Sequence, residues 1–242
     1  MHYVIGDVHG HYNTLKDLVK ALPGDAGLIF VGDLIDRGTQ SAEVVRFVRQ
    51  NGHRCVMGNH EALMVTYGSE FISAYRRGQP LPQYNLWYVN GGIHTLLSYG
   101  VAVVKEGRLE KAAGSGKQLE RLEDDLRWMQ TLPLYIELGS ERLSGKPVVV
   151  SHAPLASVWQ MRHDEALFDT FSRTAMTSRR DPDEEAEIFN IFGHTPVKGG
   201  ADVQPHYVNI DTGCYKEEEE GYRRLSAYCV ESGEVVSVAC RG

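Results

Sequence analysis

The fold is decided by three short stretches near the start of the chain: Gly6-Asp7-Val8-His9-Gly10, Gly32-Asp33-Leu34-Ile35-Asp36-Arg37-Gly38 and Gly58-Asn59-His60-Glu61. Each stretch follows a short apolar run and precedes a segment with helical periodicity. Strand, polar loop and helix therefore recur in order, which is typical of a largely parallel sheet. Because ligands of such sheets gather beyond the carboxyl ends of the strands, the three polar loops should meet in one crevice.

The rest of the chain extends this pattern. Apolar runs at residues 147–150 and 188–192 predict two more strands, and they end in Ser151-His152 and Gly193-His194. Residues 69–132 are mostly helical in pattern. Residues 206–210 and 224–239 predict antiparallel strands on either side of an acidic turn at 217–220. The first three predicted helices cover residues 12–22, residues 41–50 and a segment that begins near Glu61.

Composition limits the class of protein. The chain has 242 residues, 42% of them hydrophobic and 24% charged, which suits a single globular domain over residues 1–242. Its net charge of −7 argues against a nucleic-acid partner, since such binding depends on neutralising phosphates. No apolar run approaches the roughly 18 residues of a membrane span. With no secretory signal evident, we expect a cytoplasmic protein with no membrane partner, and the sequence leaves its oligomeric state unknown.

The four cysteines show no Cys-x-x-Cys spacing. We expect reduced, partly buried thiols, in preference to a zinc knuckle or a disulfide framework. The residues concerned are Cys55, Cys214, Cys229 and Cys240.

The strand-end clusters offer carboxylate, imidazole and amide-oxygen ligands but no thiolate. Such a set suits Mn²⁺, Fe or Zn²⁺ better than Ca²⁺. Six ligands are too many for one tetrahedral site, and Asp33 stands where a carboxylate could bridge two ions about 3.5–4 Å apart. The sequence therefore predicts two divalent metal ions, most simply Mn²⁺.

These clusters resemble the motifs GDxHG, GDxxDRG and GNHE of the phosphoprotein phosphatase family, in particular the small bacterial and bacteriophage lambda type of Ser/Thr phosphatase. Phe192-Gly193-His194-Thr195-Pro196 and Asp211-Thr212-Gly213 resemble later segments of that family. The resemblance implies a metallophosphoesterase fold: a four-layer αββα sandwich with two mixed sheets and the metals at one edge. Met57 departs from the Arg that eukaryotic members usually have there, which weakens inferences about eukaryote-like substrate grooves.

The same resemblance implies a role for each site residue. Asp7 and His9 would bind one metal, Asp33 would bridge, and a hydroxide between the metals would attack phosphorus directly. His60 would be the general acid, with Asp36 orienting its imidazole. Arg37 would fork onto the phosphate, as a guanidinium does well. The second metal would be completed by Asn59, His152 and His194, and a second phosphate-binding arginine would be Arg173, chosen over Arg162, Arg179 and Arg180.

The function that the resemblance implies first is hydrolysis of phosphomonoesters, with phosphoserine and phosphothreonine in proteins as the presumed substrates. The alternative is a bis(5′-nucleosyl)-tetraphosphatase, that is, a diadenosine tetraphosphate hydrolase that uses the same two metals. Asp36 and Glu61 favour the phosphatase. The diadenosine tetraphosphate hydrolases commonly lack an aspartate at the position of Asp36, and their third motif is GNHD, with aspartate at the position of Glu61. The partner would be a phosphoprotein or a phosphorylated small molecule.

Residues 69–92 have two possible roles. They are either a packed helix and loop, or a segment that overhangs the metals and contacts the rest of the substrate. In the second case arginine would take a remote phosphate or an acidic side chain, and an aromatic ring would stack on a base. The side chains concerned are those of Arg76, Arg77, Tyr84, Trp87 and Tyr88.

Overall fold

Two five-stranded mixed sheets form the centre of the computed structural model, which describes residues 1–140, 145–216 and 220–241. The strands are β1 (His2–Ile5), β2 (Gly27–Phe30), β3 (Arg54–Cys55), β4 (Ala102–Lys105), β5 (Arg108–Lys111), β6 (Tyr135–Ser140), β7 (Pro147–Ser151), β8 (Phe189–Phe192), β9 (Asp202–Val203), β10 (Tyr207–Asn209), β11 (Arg224–Cys229) and β12 (Val235–Ala239). The sheet orders are β12-β11-β1-β2-β3 and β6-β7-β8-β10-β9, and β4 pairs with β5 in a separate hairpin.

Helices cover the outer faces of both sheets. They are α1 (Tyr12–Ala21), α2 (Ser41–Gln50), α3 (Asn59–Arg76), α4 (Leu86–Val89), α5 (Gly92–Ser98), α6 (Gly116–Met129) and α7 (Phe168–Thr177), with a 3₁₀ helix at Ala156–His163.

The four layers follow from the alternation of side chains along the strands. In β1, Val4 points between the two sheets, where it joins Ile29 of β2 and Val150 of β7 in one buried cluster. Tyr3 and Ile5, one residue on either side of Val4, point outward into a second cluster beneath α1, α2, α3 and α6. A third cluster packs the opposite face of the second sheet against α7 and the 3₁₀ helix. The predicted αββα sandwich is therefore confirmed.

Element bounds agree closely with the sequence pattern for the first two helices. Strand β10 differs from expectation, because it runs parallel to β8 and antiparallel only to β9. The predicted antiparallel pairing holds for β11 and β12, which join the first sheet beside β1. Of the acidic turn predicted at residues 217–220, residues 217–219 lie outside the described part of the chain.

The topology places the polar loops at one edge. Strands β1, β2 and β3 are parallel neighbours, so the loops that follow them leave the sheet on the same side. Strands β7 and β8 are parallel neighbours in the facing sheet and deliver their own loops there. Among the described residues, no helix combines the length and the apolar composition that crossing a lipid bilayer demands.

The prediction of four reduced thiols is wrong for two of them. Cys214, after β10, and Cys240, after β12, form a disulfide with a Cα–Cα distance of 5.6 Å, whereas Cys55 and Cys229 are free and buried. The two cysteines meet because β12 runs antiparallel to β11 and ends near the loop that follows β10. The spacing of the cysteines in the sequence does not predict this contact.

Removal of this disulfide should destabilise the fold. We expect the Cys214→Ser, Cys240→Ser double variant to lose about 2–4 kcal/mol of unfolding free energy, because the crosslink restricts the unfolded chain. Urea denaturation under oxidising conditions measures the loss, and the same comparison in dithiothreitol, where the difference should vanish, is the control. Equal stability of both proteins under oxidising conditions would contradict the assignment.

Candidate active site

Asp33 lies at the centre of the polar cluster, with imidazoles facing both oxygens of its carboxylate. Its Oδ1 lies 3.5 Å from His152 Nε2, and its Oδ2 lies 3.5 Å from His9 Nε2 and 3.8 Å from His60 Nε2. Burial alone would favour the neutral carboxyl, but the imidazoles of His152, His60 and His9 outweigh it and lower the pKa of Asp33. One carboxylate can therefore serve two neighbouring sets of ligand atoms.

Those two sets share Asp33. Ligand atoms of His9, Asp33 and His60 all lie within 4.8 Å of one another, and so do those of Asp7, Asp33 and His152. The geometry alone does not separate His60 from the ligands. The other ring nitrogen of His60, Nδ1, contacts the buried carboxylate of Asp36.

Asn59 extends the second set. Its Oδ1 lies 2.9 Å from His152 Nε2 and 2.9 Å from His194 Nδ1, and the two imidazole nitrogens are 3.1 Å apart. Asn59 is the first residue of α3, whereas the histidines follow β7 and β8. Three potential ligand atoms from both halves of the sandwich thus converge on one point.

Backbone carbonyls fix the orientation of the histidines. His9 Nδ1–H donates to the Ile35 carbonyl at 2.9 Å and His152 Nδ1–H donates to the Val31 carbonyl at 2.8 Å, so in both neutral imidazoles the lone pair lies on Nε2, the nitrogen that faces Asp33. Burial lowers the pKa of both imidazoles, and burial together with His152 lowers the pKa of His194 to about 3. Neutral imidazoles are the form that binds metals.

The loops that present these side chains are strained. Seven non-glycine residues in the described chain have positive φ, and five of them belong to the site: His9, Asp33, Asp36, Arg37 and His194. Such conformations cost free energy and persist only where surrounding contacts impose them. The concentration of strain at the sheet edge therefore marks a functional site independently of the residue types.

Glu61 supplies many of the contacts that impose this conformation. Its Oε2 accepts from the backbone N–H of Asp33 at 2.8 Å and of Gly58 at 3.1 Å, while its Oε1 accepts from Leu34 N–H at 2.8 Å. Burial and the charge of Asp33 raise the pKa of Glu61 to about 7. A Cβ at Gly58 would collide with Asp33 Oδ1 and Glu61 Oε2, so only glycine fits there. Sequence reasoning used Glu61 as a family marker and missed this structural role.

His60 and Asp36 form a buried dyad. His60 Nδ1 lies 2.6 Å from Asp36 Oδ2, and Asp36 also accepts from Trp87 Nε1 at 3.0 Å and from Thr95 Oγ1 at 2.6 Å. Burial opposes a charge on His60, but the carboxylates of Asp33 and Asp36 raise its pKa above the ordinary value. The dyad can thus hold a proton at His60 Nε2, on the side of Asp33.

Asp211 belongs to the site although the sequence assigned it no role. It lies beside Asp7, and burial and the Asp211 carboxyl together raise the pKa of Asp7 well above its ordinary value. Burial likewise raises the pKa of Asp211 to about 6. The sequence does contain a signal for this role, because Asp211 comes shortly after the strand β10, just as the other site residues come shortly after their strands. Three buried carboxyls in one place, those of Asp7, Asp33 and Asp211, suit a strong positive charge.

The arginines differ in how far the structure supports their predicted roles. Arg37 Nη1 lies 2.9 Å from His9 Nε2, within the cluster. Arg173, on α7, has no side-chain hydrogen bond or ion pair with any described residue, and the structure does not bring it into contact with the cluster. Arg162 turns toward Trp159, and Arg180 pairs with Asp183. The positive charge of Arg179 lowers the pKa of His194.

The hypothesis that Arg76 and Arg77 overhang the metals is wrong. Asn59 begins α3 and Arg76 ends this helix of 18 residues, so the two residues are about 25 Å apart at 1.5 Å per residue. Arg76 instead pairs with Glu123 of α6. Trp87 is fully buried and donates to Asp36, a contact that no sequence signal revealed.

The donor set fits divalent cations. It combines neutral imidazoles, carboxylates and one amide oxygen, and the remaining imidazole nitrogens of His9 and His152 are engaged by carbonyls, as in metal-bound histidines. The predicted residues Asp7, His9, Asp33, Asn59, His152 and His194 are therefore gathered at one place.

Comparison with known proteins agrees with this description. The chain is 27% identical, over an alignment 247 positions long, to the asymmetrical bis(5′-nucleosyl)-tetraphosphatase of Bacillus subtilis, covering 91% of this chain and 89% of that protein. It is 29% identical over 217 residues to serine/threonine-protein phosphatase 1 of Salmonella typhimurium, covering 87% and 85% of the two chains.

A solved structure described as a candidate diadenosine tetraphosphatase superposes with a TM-score of 0.62 at 20% identity, over 100% of this chain and 94% of that one. This likeness supports the fold. The model of the calcineurin-like phosphoesterases matches residues 3–204, most of the chain and all of the strand-end clusters. The chain therefore belongs to the calcineurin-like phosphoesterase family.

Proposed function

We propose that this phosphoesterase hydrolyses dinucleoside tetraphosphates. The observation that carries the proposal is the similarity to an asymmetrical bis(5′-nucleosyl)-tetraphosphatase over 91% of this chain and 89% of the relative. The features that favoured a phosphoprotein phosphatase at first, Asp36 and Glu61, bind His60 and the backbone of the Asp33 loop. Both contacts can serve an anhydride substrate as well as an ester, so these residues are compatible with the first activity.

The metal centre would contain two divalent ions, and Mn²⁺ is the ion we propose, with Fe and Zn²⁺ as alternatives compatible with the donors. Asp7 and His9 would hold one ion, Asn59, His152 and His194 the other, and Asp33 both. Such a pair of ions, when bound, polarises a phosphoryl oxygen and lowers the pKa of the attacking water.

His60 would act on the leaving group. As the water oxygen bonds to phosphorus, the bond from phosphorus to the leaving oxygen breaks, and that oxygen takes the proton from His60 Nε2. Asp36 keeps the imidazole oriented and stabilises its charged form through the 2.6 Å hydrogen bond. Arg37 would bind two phosphoryl oxygens through its N–H fork. Arg173, the second phosphate-binding arginine predicted from the sequence, has no contact in the described structure that supports this role, and Arg179 is the other candidate.

A phosphoserine or phosphothreonine phosphatase is the second candidate, and the His60–Asp36 dyad is the observation in its favour. The alkoxide that leaves a phosphomonoester is far more basic than the phosphate that leaves an anhydride, so a well-built proton donor contributes more to the ester reaction. The similarity to a Salmonella serine/threonine-protein phosphatase points the same way.

Metal removal tests the centre. We expect chelation to abolish activity, Mn²⁺ to restore it best, and the Asp33→Ala variant to bind fewer than two ions and resist rescue, since Asp33 serves both ion positions. Metal content per chain and activity are the two measurements. Asp124→Ala, an exposed carboxylate on α6, is the control and should behave as wild type. Full activity in excess chelator would contradict the two-metal proposal.

Replacement of His60 tests the general acid. His60→Asn should retain its metals and lose roughly 10²–10⁴ in kcat on a phosphoserine ester. The loss should be smaller on p-nitrophenyl phosphate, whose leaving group is stable without a proton. His94→Asn, an exposed histidine on α5, serves as the control. An equal loss on both substrates at full metal content would remove His60 from this role, and loss of metal would make it a ligand.

Parallel kinetics on diadenosine tetraphosphate and on a phosphoserine peptide, with Mn²⁺, test the substrate class. We expect kcat/KM for the dinucleotide to exceed that for the peptide by about tenfold or more, a difference of about 1.4 kcal/mol in transition-state binding. Chromatography of the products shows which anhydride bond is cleaved: AMP with ATP means asymmetrical cleavage, and ADP alone means symmetrical cleavage. A clear preference for the peptide would replace the first candidate by the second.

A further inference from the structure

Tyr215 covers one face of the Arg37 guanidinium. Arg37 Cζ lies 3.8 Å from the centre of the Tyr215 ring, which is a close cation–π contact. The same ring meets the His9 ring edge to face, with centroids 4.7 Å apart and planes at 80°. Tyr215 therefore touches both the predicted phosphate-binding arginine and a predicted metal ligand.

The segment that carries Tyr215 is firmly held. Gly213 N–H donates to Asp211 Oδ1 at 2.9 Å, and Gly213 itself has a φ of 68°, which turns the chain toward Arg37. Cys214, directly before Tyr215, is bonded to Cys240. Lys216, directly after it, donates its backbone N–H to the Gly213 carbonyl at 3.0 Å. Both sides of Tyr215 are thus fixed, so the ring is presented to Arg37 by a rigid turn.

Arg37 has few other restraints. In the described chain no carboxylate lies within ion-pair distance of its guanidinium, and Arg37 Nη1 makes a side-chain hydrogen bond with His9. On its stem, Gly91 approaches so closely that a Cβ there would lie 3.1 Å from Arg37 Cγ. An aromatic face holds a guanidinium without neutralising it and without using its N–H groups. The edge of the fork remains available to an anion.

We propose that Tyr215 is a positioning residue for phosphate: it holds the plane of the Arg37 guanidinium so that the N–H edge faces the phosphoryl group. The proposal rests on the phosphate chemistry of the proposed function but does not depend on whether the substrate is a dinucleotide or a phosphopeptide. Arginine loses considerable rotamer freedom when it binds. A preformed orientation removes part of that loss before the phosphate arrives.

A double-mutant cycle on the metal-loaded full-length protein tests this role, with inorganic phosphate as the probe. The single variants are Tyr215→Leu and Arg37→Ala, and the cycle is closed by their combination. Calorimetry gives the affinity for phosphate directly, and its inhibition constant against p-nitrophenyl phosphate gives a second value. Metal content per chain shows whether loss of the contact between Tyr215 and His9 changes metal binding.

We expect Tyr215→Leu to weaken phosphate binding by about 2- to 30-fold, the range that a cation–π contact supports. Tyr215→Phe, which keeps the ring, should stay within about twofold of wild type for the same reason. In the Arg37→Ala background, Tyr215→Leu should have no further effect. Tyr222→Leu, in the same loop but in contact with Lys198 and Lys216, should bind phosphate as wild type does. Tyr215→Gln provides a second ring-free variant if the leucine variant folds poorly.

The proposal would be overturned if both Tyr215→Leu and Tyr215→Gln bound phosphate as tightly as wild type. It would also be overturned if Tyr215→Leu weakened phosphate binding equally with and without Arg37, or if Tyr222→Leu weakened phosphate binding as much as Tyr215→Leu. Absence of phosphate binding in the wild type would overturn it as well. The outcome is separable from that of the proposed function. Coupling between Tyr215 and Arg37 in a protein that hydrolyses neither substrate would leave the inference standing and the proposed function rejected.

Discussion

The burial of three carboxyls at one point between the two sheets is the constraint from which the rest of the site follows. Asp7, Asp33 and Asp211 are 2%, 3% and 1% exposed. Such a group of buried acids is costly unless positive charge compensates it. Around Asp33 the neighbouring imidazoles supply part of that compensation, and the raised pKa of Asp7 shows that they do not supply all of it. A strong preference for cations is therefore built into the fold before any substrate binds.

The strained loops and the buried acids are held by the same contacts. Glu61 accepts hydrogen bonds from the backbone N–H groups of Asp33 and Leu34. Asp33 Oδ1 in turn accepts the backbone N–H of His60 at 3.1 Å. The positive φ angles at the site would otherwise relax, because each costs of the order of 1–3 kcal/mol. Stability and the geometry of the proposed site thus depend on one hydrogen-bond network, and Glu61 is part of it through its contacts with backbone N–H groups.

The sequence was sufficient to predict which polar side chains follow the ends of strands. Asp7, Asp33 and His152 could be placed because each follows an apolar run, and parallel strands bring such ends together. Contacts between residues far apart in the sequence could not be predicted, because no local sequence pattern indicates them. Trp87 reaches Asp36 from a helix 51 residues away, and Cys214 meets Cys240 only after β12 has returned along β11. Arg37 was assigned from its motif, whereas the ring that covers it lies on a segment near the other end of the chain.

Helix α4 shows how chemistry and specificity can be separated in this fold. Its buried face carries Trp87, whose N–H donates to Asp36, the carboxylate that contacts His60. Its outer face exposes Leu86 and Val89, at 53% and 61%. Among the described residues, the outer face makes no hydrogen bond with the dyad, whereas a change at Trp87 would remove a hydrogen bond from Asp36 whatever the substrate. A metal-and-acid core of this kind serves both anhydrides and esters, because the substrate class is decided by groups beyond the reacting phosphate. The two relatives that resemble the chain over most of its length are accordingly named for an anhydride substrate in one case and for a phosphoprotein in the other.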